Sequence, residues 1–208
     1  MNLKGRNFLK LLDFTPEEIT LLNTYLPNDL LGNSILSLIG SGIRLQELLA
    51  LTKSDIAPDG SMITVNKAVK MAYRQPKLGT TKSVKGNRKI PVSKDFRPFV
   101  KYLHDHGGDR YIWTSNRESG LFTPEEFRRQ YNRIMKKIPG VTYRSPHCCR
   151  HTYITMLQAK QVPMDFISAL AGHEEASTTL GYTHLTIETL TKVIEALDDT
   201  TPHEGGAA

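Results

Sequence analysis

Long apolar runs are what this 208-residue chain has least of. Its longest, "ILSLIG" at residues 35–40, falls far short of the ~20 apolar residues that a membrane-spanning helix needs. The N-terminus does not carry the pattern of a secretory signal. Cysteine is scarce as well. The two present, Cys148 and Cys149, are adjacent, which suits neither a structural bridge nor zinc-ligand spacing. A reduced, cytoplasmic protein without a metal is therefore expected. No G-x-x-x-x-G-K-[ST] phosphate loop and no paired-acid metal site occurs, so neither a nucleotide nor a metal cofactor is expected. Internal repeats and low-complexity blocks are also missing.

What is there suits a globular fold. Hydrophobic residues make up 39% of the chain, enough to bury a core, and the length suits one domain with at most a short appendage. The net charge is +6, and the excess is local: nine Lys or Arg and one acid, Asp95, lie between Arg74 and Lys101. A solvated basic face and a phosphate-backbone partner are both open readings of that segment.

The pentapeptide "FTPEE" occurs twice, at residues 14–18 and 122–126. In each, Thr can cap a helix, Pro suits the first turn and the acids favour the positive helix end. Helices are predicted to begin near Pro16 and Pro124. Another runs through "NSILSLIG" and breaks at "GSG". A further helix is predicted over "RLQELLALTKSDI", where Leu45, Leu48 and Leu49 make an apolar stripe and Arg44 and Glu47 share a face. Asp59 and Gly60 read as a turn. "SMITVNKAV" and "RKIPV" read as strands, with "GTTKSVKGN" as an exposed hairpin between them. From Lys94 the pattern is helical again, through "EEFRRQYNRIMKKI", "PHCCRHTYITMLQAKQ", "MDFISALAGH" and "IETLTKVIEAL". The expected fold class is mainly α with one small antiparallel β-sheet (α+β). The polar, Gly-rich residues 199–208 are expected to be disordered.

Six residues could carry chemistry together. His147 and Arg150 in "HCCRH" are three apart and share a helix face. Their charges repel unless an anion lies between them. Arg44 opens a helix after a Gly-containing break, and Tyr182 follows His173 by nine residues in "LAGHEEASTTLGYTHL". A lysine-bearing hairpin lies between the first and second groups. Each residue alone has a plain alternative: Arg44 paired with Glu47, His173 buried at a helix start, Tyr182 packed in a core.

In this order the set resembles the tyrosine recombinases, the phage integrase family, whose signature is R, K, H-x-x-R, a further H or W, and a nucleophilic Y. "SGIRLQELLALTKSDI" is similar to the first box of that family, "HCCRHTYITMLQAKQV" to the second, and "LAGHEEASTTLGYTHL" to its ending. The resemblance spans residues 14–197, with a flavour of conjugative-transposon integrases. It implies the catalytic-domain fold of the family and a DNA transesterification in which Tyr182 attacks a backbone phosphate to give a 3′-phosphotyrosyl bond. Arg44 and Arg150 would hold the non-bridging oxygens, since guanidinium is permanently charged and donates two bonds at once. His147 would accept the tyrosine proton, because a phenol with a pKa of about 10 is mostly un-ionised at neutral pH. His173 would bond a non-bridging oxygen, and Glu47 would orient Arg44.

Counting back from "IPV", Lys82 matches the proton donor of the family best, with Lys77 and Lys85 as rivals. Lys77, Lys85 and Arg88 are expected to contact DNA. The resemblance further implies DNA integration or excision for a mobile element such as a transposon, and a homotetramer on double-stranded DNA through the helix after Tyr182, from a chain that is monomeric alone. Relaxation in the manner of type IB topoisomerases and a non-catalytic DNA-binding role are the alternatives. As expected boundaries, residues 1–13 form a leader or linker, 14–198 the catalytic domain and 199–208 a tail. The N-terminal core-binding domain usual in the family is expected to be absent.

Overall fold

A computed structural model describes residues 13–80, 87–172 and 186–198. The apolar core is organised around α2 (Leu30–Ser41), of which Asn33, Ser34 and every residue from Ile35 to Ser41 are buried. A helix apolar nearly all round must be enclosed by its neighbours. Around α2 pack α4 (Arg97–His106) and α6 (His147–Ala159). Ser41 donates to the Ser37 carbonyl and Trp113 Nε1 donates to Ser34 Oγ at 2.9 Å, while the Ser37 hydroxyl is buried without a partner among the described residues.

Both "FTPEE" copies start helices, α1 (Pro16–Tyr25) and α5 (Pro124–Met135), and both close a reciprocal capping box, Thr15 with Glu18 and Thr123 with Glu126. The rest of each pentapeptide's environment differs. Glu18 is buried, accepts from Thr142 N and Arg144 Nη1 at 2.9 and 2.8 Å, and so pins α1 to the segment leading into α6. Glu126 takes a bidentate bond from Arg117 near the surface. On α5 the buried stripe is Phe127, Tyr131 and Met135, continued by Ile138 beyond the helix, with Ile134 only partly covered.

The long helix predicted over "RLQELLALTKSDI" is instead one turn, α3 (Leu45–Leu48), followed by a 3-10 turn at Lys53–Asp55. Capping explains the break. Glu47 folds back onto the Arg44 backbone N–H, and four residues past the end of α3 a second capping pair forms, Thr52 with Asp55. A residue whose side chain binds the preceding backbone marks a helix start, so two starts within eight residues leave no room for one long helix.

Where the sequence led to one sheet, the described residues form two separate two-stranded ones. Strand β1 (Met62–Val65) pairs antiparallel with β4 (Arg88–Pro91), and β2 (Lys67–Ala72) with β3 (Gln75–Thr80). Strand β3 was not legible, because Pro76 and Gly79 are both depleted in strands. The β2–β3 turn holds Tyr73 and Arg74 at φ 49 and 63, the twist a two-residue hairpin turn needs, here without glycine. Helix α7 (Met164–Ala171) packs on α6 and β4, and α8 (Ile187–Asp198) lies on β4 of the same chain, burying Leu190 and Ile194.

Candidate active site

Three chain segments far apart in sequence meet at the C-terminal end of α2. The first turn of α6 brings His147 and Arg150 there, and the start of α3 brings Arg44 and Glu47. The N-terminal residue of β4, Arg88, completes the group. Two helix C-caps supply the floor. Gly42 ends α2 and Gly172 ends α7, both in the left-handed region at φ 64 and 72. Glycine occupies that region without the steric cost other residues meet.

The carbonyls of these two glycines hold the two arginines singled out by the sequence. Arg150 Nη1 donates to Gly42 O at 2.8 Å, and Arg44 Nη2 donates to Gly172 O at 2.8 Å. Arg44 Nη1 also donates to Glu47 Oε1 at 3.0 Å, and its backbone N–H donates to Oε2 of the same carboxylate at 2.8 Å. Glu47 is 2% exposed. Burial works against its ionisation, but the hydrogen bonds and charge of Arg88, followed by those of Arg44, hold its carboxyl below the usual carboxylate range.

Arg88 departs from its expected place among the DNA-contacting cations. Its side chain is 6% exposed, Nη1 and Nη2 bind Glu47 at 3.1 and 2.9 Å, and Nε binds the Leu170 carbonyl at 2.9 Å. A guanidinium committed in this way to interior acceptors cannot meet a phosphate. The Arg44 side chain, by contrast, is 39% exposed, and two of the five donors of its guanidinium are engaged.

Charge in the site is unbalanced. The Arg150 guanidinium has Arg44, Arg88 and Glu47 as its charged neighbours, and burial foremost, then the two arginines, pull its pKa down to about 10. It stays charged at neutral pH, so among the described residues three cations stand with one carboxylate. His147 is the first residue of α6, with its ring edge-on to His151 at 4.7 Å between centroids. Burial, then His151, Arg150 and Arg44, push its pKa below the ordinary imidazole value. The positive end of the helix acts in the same sense. The site therefore presents cations for an anion beside an imidazole that is neutral at neutral pH, which is the form able to accept a proton.

Of the other residues singled out from the sequence, Lys77 is exposed on β3, across the ladder from Lys70. Lys82, Lys85, His173 and Tyr182 lie outside the described residues, as does most of the leader and the 199–208 tail. Among the described residues no group of three or more His, Cys, Asp or Glu is placed to hold a metal ion, and no helix is long and apolar enough to cross a membrane. Sequence reasoning missed the structural role of Arg88 and of the two glycine carbonyls. The glycines had a signal, since each directly follows a helical run, but the partner of Arg88 is 41 residues away and no spacing rule reaches it.

The model of the phage integrase family matches residues 4–189. The chain belongs to this family. Among relatives in the family, a XerC-like tyrosine recombinase of Caldanaerobacter subterraneus is 28% identical, over 89% of this chain and 54% of that protein. XerC of Bacillus pumilus is 31% identical, over 77% and 52%. This family member thus spans about half the length of the curated relatives it matches. Among solved structures, the Tn1549 transposon integrase in complex with circular intermediate DNA superposes with a TM-score of 0.68 at 20% identity, covering 89% of this chain and 66% of that one. The catalytic core of lambda integrase gives 0.55 at 18% identity, covering 77% and 91%. The fold is that of phage integrase catalytic domains.

Proposed function

We propose that residues 14–198 are the catalytic domain of a site-specific DNA recombinase that cuts and rejoins strands through a 3′-phosphotyrosyl intermediate, for integration or excision of a mobile element. The observation that carries this reading is the convergence of Arg44, Arg150 and His147. Two guanidiniums anchored on helix-end carbonyls, with a neutral imidazole beside them, suit a phosphodiester whose transition state gathers charge on its non-bridging oxygens. Anchoring matters because donors already in position need no reorganisation when charge develops.

In this proposal the Tyr182 oxygen attacks phosphorus while His147 takes its proton. The bond to the 5′-oxygen breaks, and Lys82 protonates the departing 5′-oxygen to give the 5′-hydroxyl, with Lys77 and Lys85 as alternatives. His173 bonds a non-bridging oxygen. The phosphotyrosine conserves the energy of the broken phosphodiester, so the reverse attack by a 5′-hydroxyl reseals the strand without a cofactor. The roles of Tyr182, His147, Lys82, Lys77, Lys85 and His173 are those that the motif resemblance implies. The Tn1549 integrase, which shares the fold, was solved with DNA, and that supports double-stranded DNA as the partner. Tetramer formation on DNA through α8, and action in the cytoplasm of a bacterium, belong to the same proposal. In the free chain α8 covers β4 of its own chain, so a monomer is expected until DNA assembles the complex.

The test is covalent trapping. The protein is incubated with nicked duplexes carrying the ends of its element, and the denaturing gel is compared with that of Tyr182→Phe. An adduct formed only with Tyr182 is expected. Tight DNA binding without an adduct would overturn the catalytic reading in favour of a binding protein, and relaxation of supercoils without strand exchange would favour a topoisomerase.

A further inference from the structure

Arg88 is a buried cation that the proposed chemistry does not use, and its bonds are too many for filler. Three of its donors are spent on two segments: Nη1 and Nη2 on Glu47 of α3, and Nε on the Leu170 carbonyl of α7. It packs directly beneath Gly172, where a Cβ would come within 2.9 Å of Nη1. The carbonyl of that same glycine receives Arg44. Arg44 is therefore held at two points, Glu47 and Gly172 O, and Arg88 lies against both. Arg88 also opens β4, the strand that emerges from residues 81–86.

We propose that Arg88 is a positioning residue for the phosphate-binding guanidinium of Arg44, acting through Glu47, and that it ties the strand leaving residues 81–86 to the same carboxylate. The inference rests on the reading of Arg44 as a phosphate ligand. Its physical basis is the burial of Glu47. A carboxyl that is 2% exposed loses its charge unless cations compensate, and here the bonds and charge of Arg88 weigh more than those of Arg44. Without Arg88 the carboxyl takes up a proton more readily. It then offers Arg44 a neutral acceptor in place of a carboxylate, and the ion-pair attraction between the two side chains is lost. A lysine cannot substitute, because one ammonium cannot meet both carboxylate oxygens and the Leu170 carbonyl in the planar geometry seen here.

The alternative is a purely structural ion pair, and the two are separable. Removing one member of a buried pair destabilises by leaving the other uncompensated, whereas replacing both with apolar side chains restores stability. The variants are Arg88→Lys, Arg88→Met and the double change Glu47→Met with Arg88→Met. Three quantities are read on each: thermal midpoint, duplex affinity, and single-turnover adduct formation at saturating protein on the nicked duplex. A fourth is the order of the Arg44 side chain, from its Nε–H resonance. A positioning role predicts that the double variant regains the thermal midpoint and binds duplex as before, yet forms adduct about 100-fold more slowly, the scale of a misplaced reacting group. Arg88→Lys should keep a cation and still lose most of the rate. Adduct formation that returns with stability in the double variant would overturn the proposal. If the unaltered protein forms no adduct, the recombinase reading fails instead. Arg88 is then judged on the Arg44 resonance alone: disorder in Arg88→Met supports positioning, and an unchanged resonance overturns it.

Discussion

Glu47 and Arg88 face each other across two parallel hydrogen bonds of 3.1 and 2.9 Å, with neither side chain more than 6% exposed. Arg88→Met is expected to lower stability by about 3–5 kcal/mol, the cost of a buried charge left without its partner. Urea denaturation measures it. The pair also sets a pH dependence. The Glu47 carboxyl is lower in the folded protein than in the unfolded chain, so its stabilisation is complete above the ordinary carboxylate range and is lost as pH falls through the folded value. Acid unfolding should be less steep in the Glu47→Met, Arg88→Met double variant.

His147 gives a second pH prediction, of opposite kind. Its pKa is lowered, so the neutral base persists to a more acid pH than a free imidazole would. The acid limb of the cleavage rate should fall below the ordinary imidazole range. Replacing His151 with Phe keeps an aromatic edge against the ring and removes a cation-forming neighbour. That limb should then move to higher pH, and the NMR titration of His147 should move with it. A limb that stays in place would show that the ring contact is packing alone.

Gly42 tests the anchoring of Arg150. A Cβ there would lie 2.2 Å from Tyr153 Cδ1, on a backbone at φ 64. Gly42→Ala carries the left-handed backbone cost of about 1–2 kcal/mol and in addition must displace the tyrosine ring. The Gly42 carbonyl that holds Arg150 shifts with it. The expected result is a lower denaturation midpoint together with slower cleavage at saturating DNA.

The two "FTPEE" copies should respond unequally. Glu18→Ala breaks both a cap and a buried pair with Arg144, whose side chain is 6% exposed, and should cost about 3–5 kcal/mol. Glu126→Ala breaks a cap and a pair whose arginine is 38% exposed, and should cost about 1–2 kcal/mol. Parallel urea titrations would show the difference. Equal losses would mean that burial does not separate the two sites.

Much of the fold was legible because the signals were local. Capping chemistry placed the starts of α1 and α5, and apolar periodicity placed α5 to α8 and the core helix α2. Local signals also misled. Leu45, Leu48 and Leu49 have helical spacing, yet the carboxylate of Glu47 is drawn back to the Arg44 N–H and out to Arg88, which ends α3 after one turn. Strand β3 carries Pro76 and Gly79 and exists because β2 supplies its hydrogen-bond partners.

The sequence by itself determined which residue types could meet a phosphate and in what order, since Arg44, His147 and Arg150 sit in motifs a few residues long whose spacing is set by a helical turn. Only the tertiary structure decided what holds them. Arg88 reads as one more cation in a basic stretch, indistinguishable from Lys89 beside it, until β4 is placed against α3 and α7. Strand alternation then turns Arg88 inward, where a buried carboxylate and a helix-end carbonyl require it, and leaves Lys89 in solvent. Whether a charge serves the partner or the interior depends on which face of its strand is buried, and that is settled by contacts between segments distant in the chain.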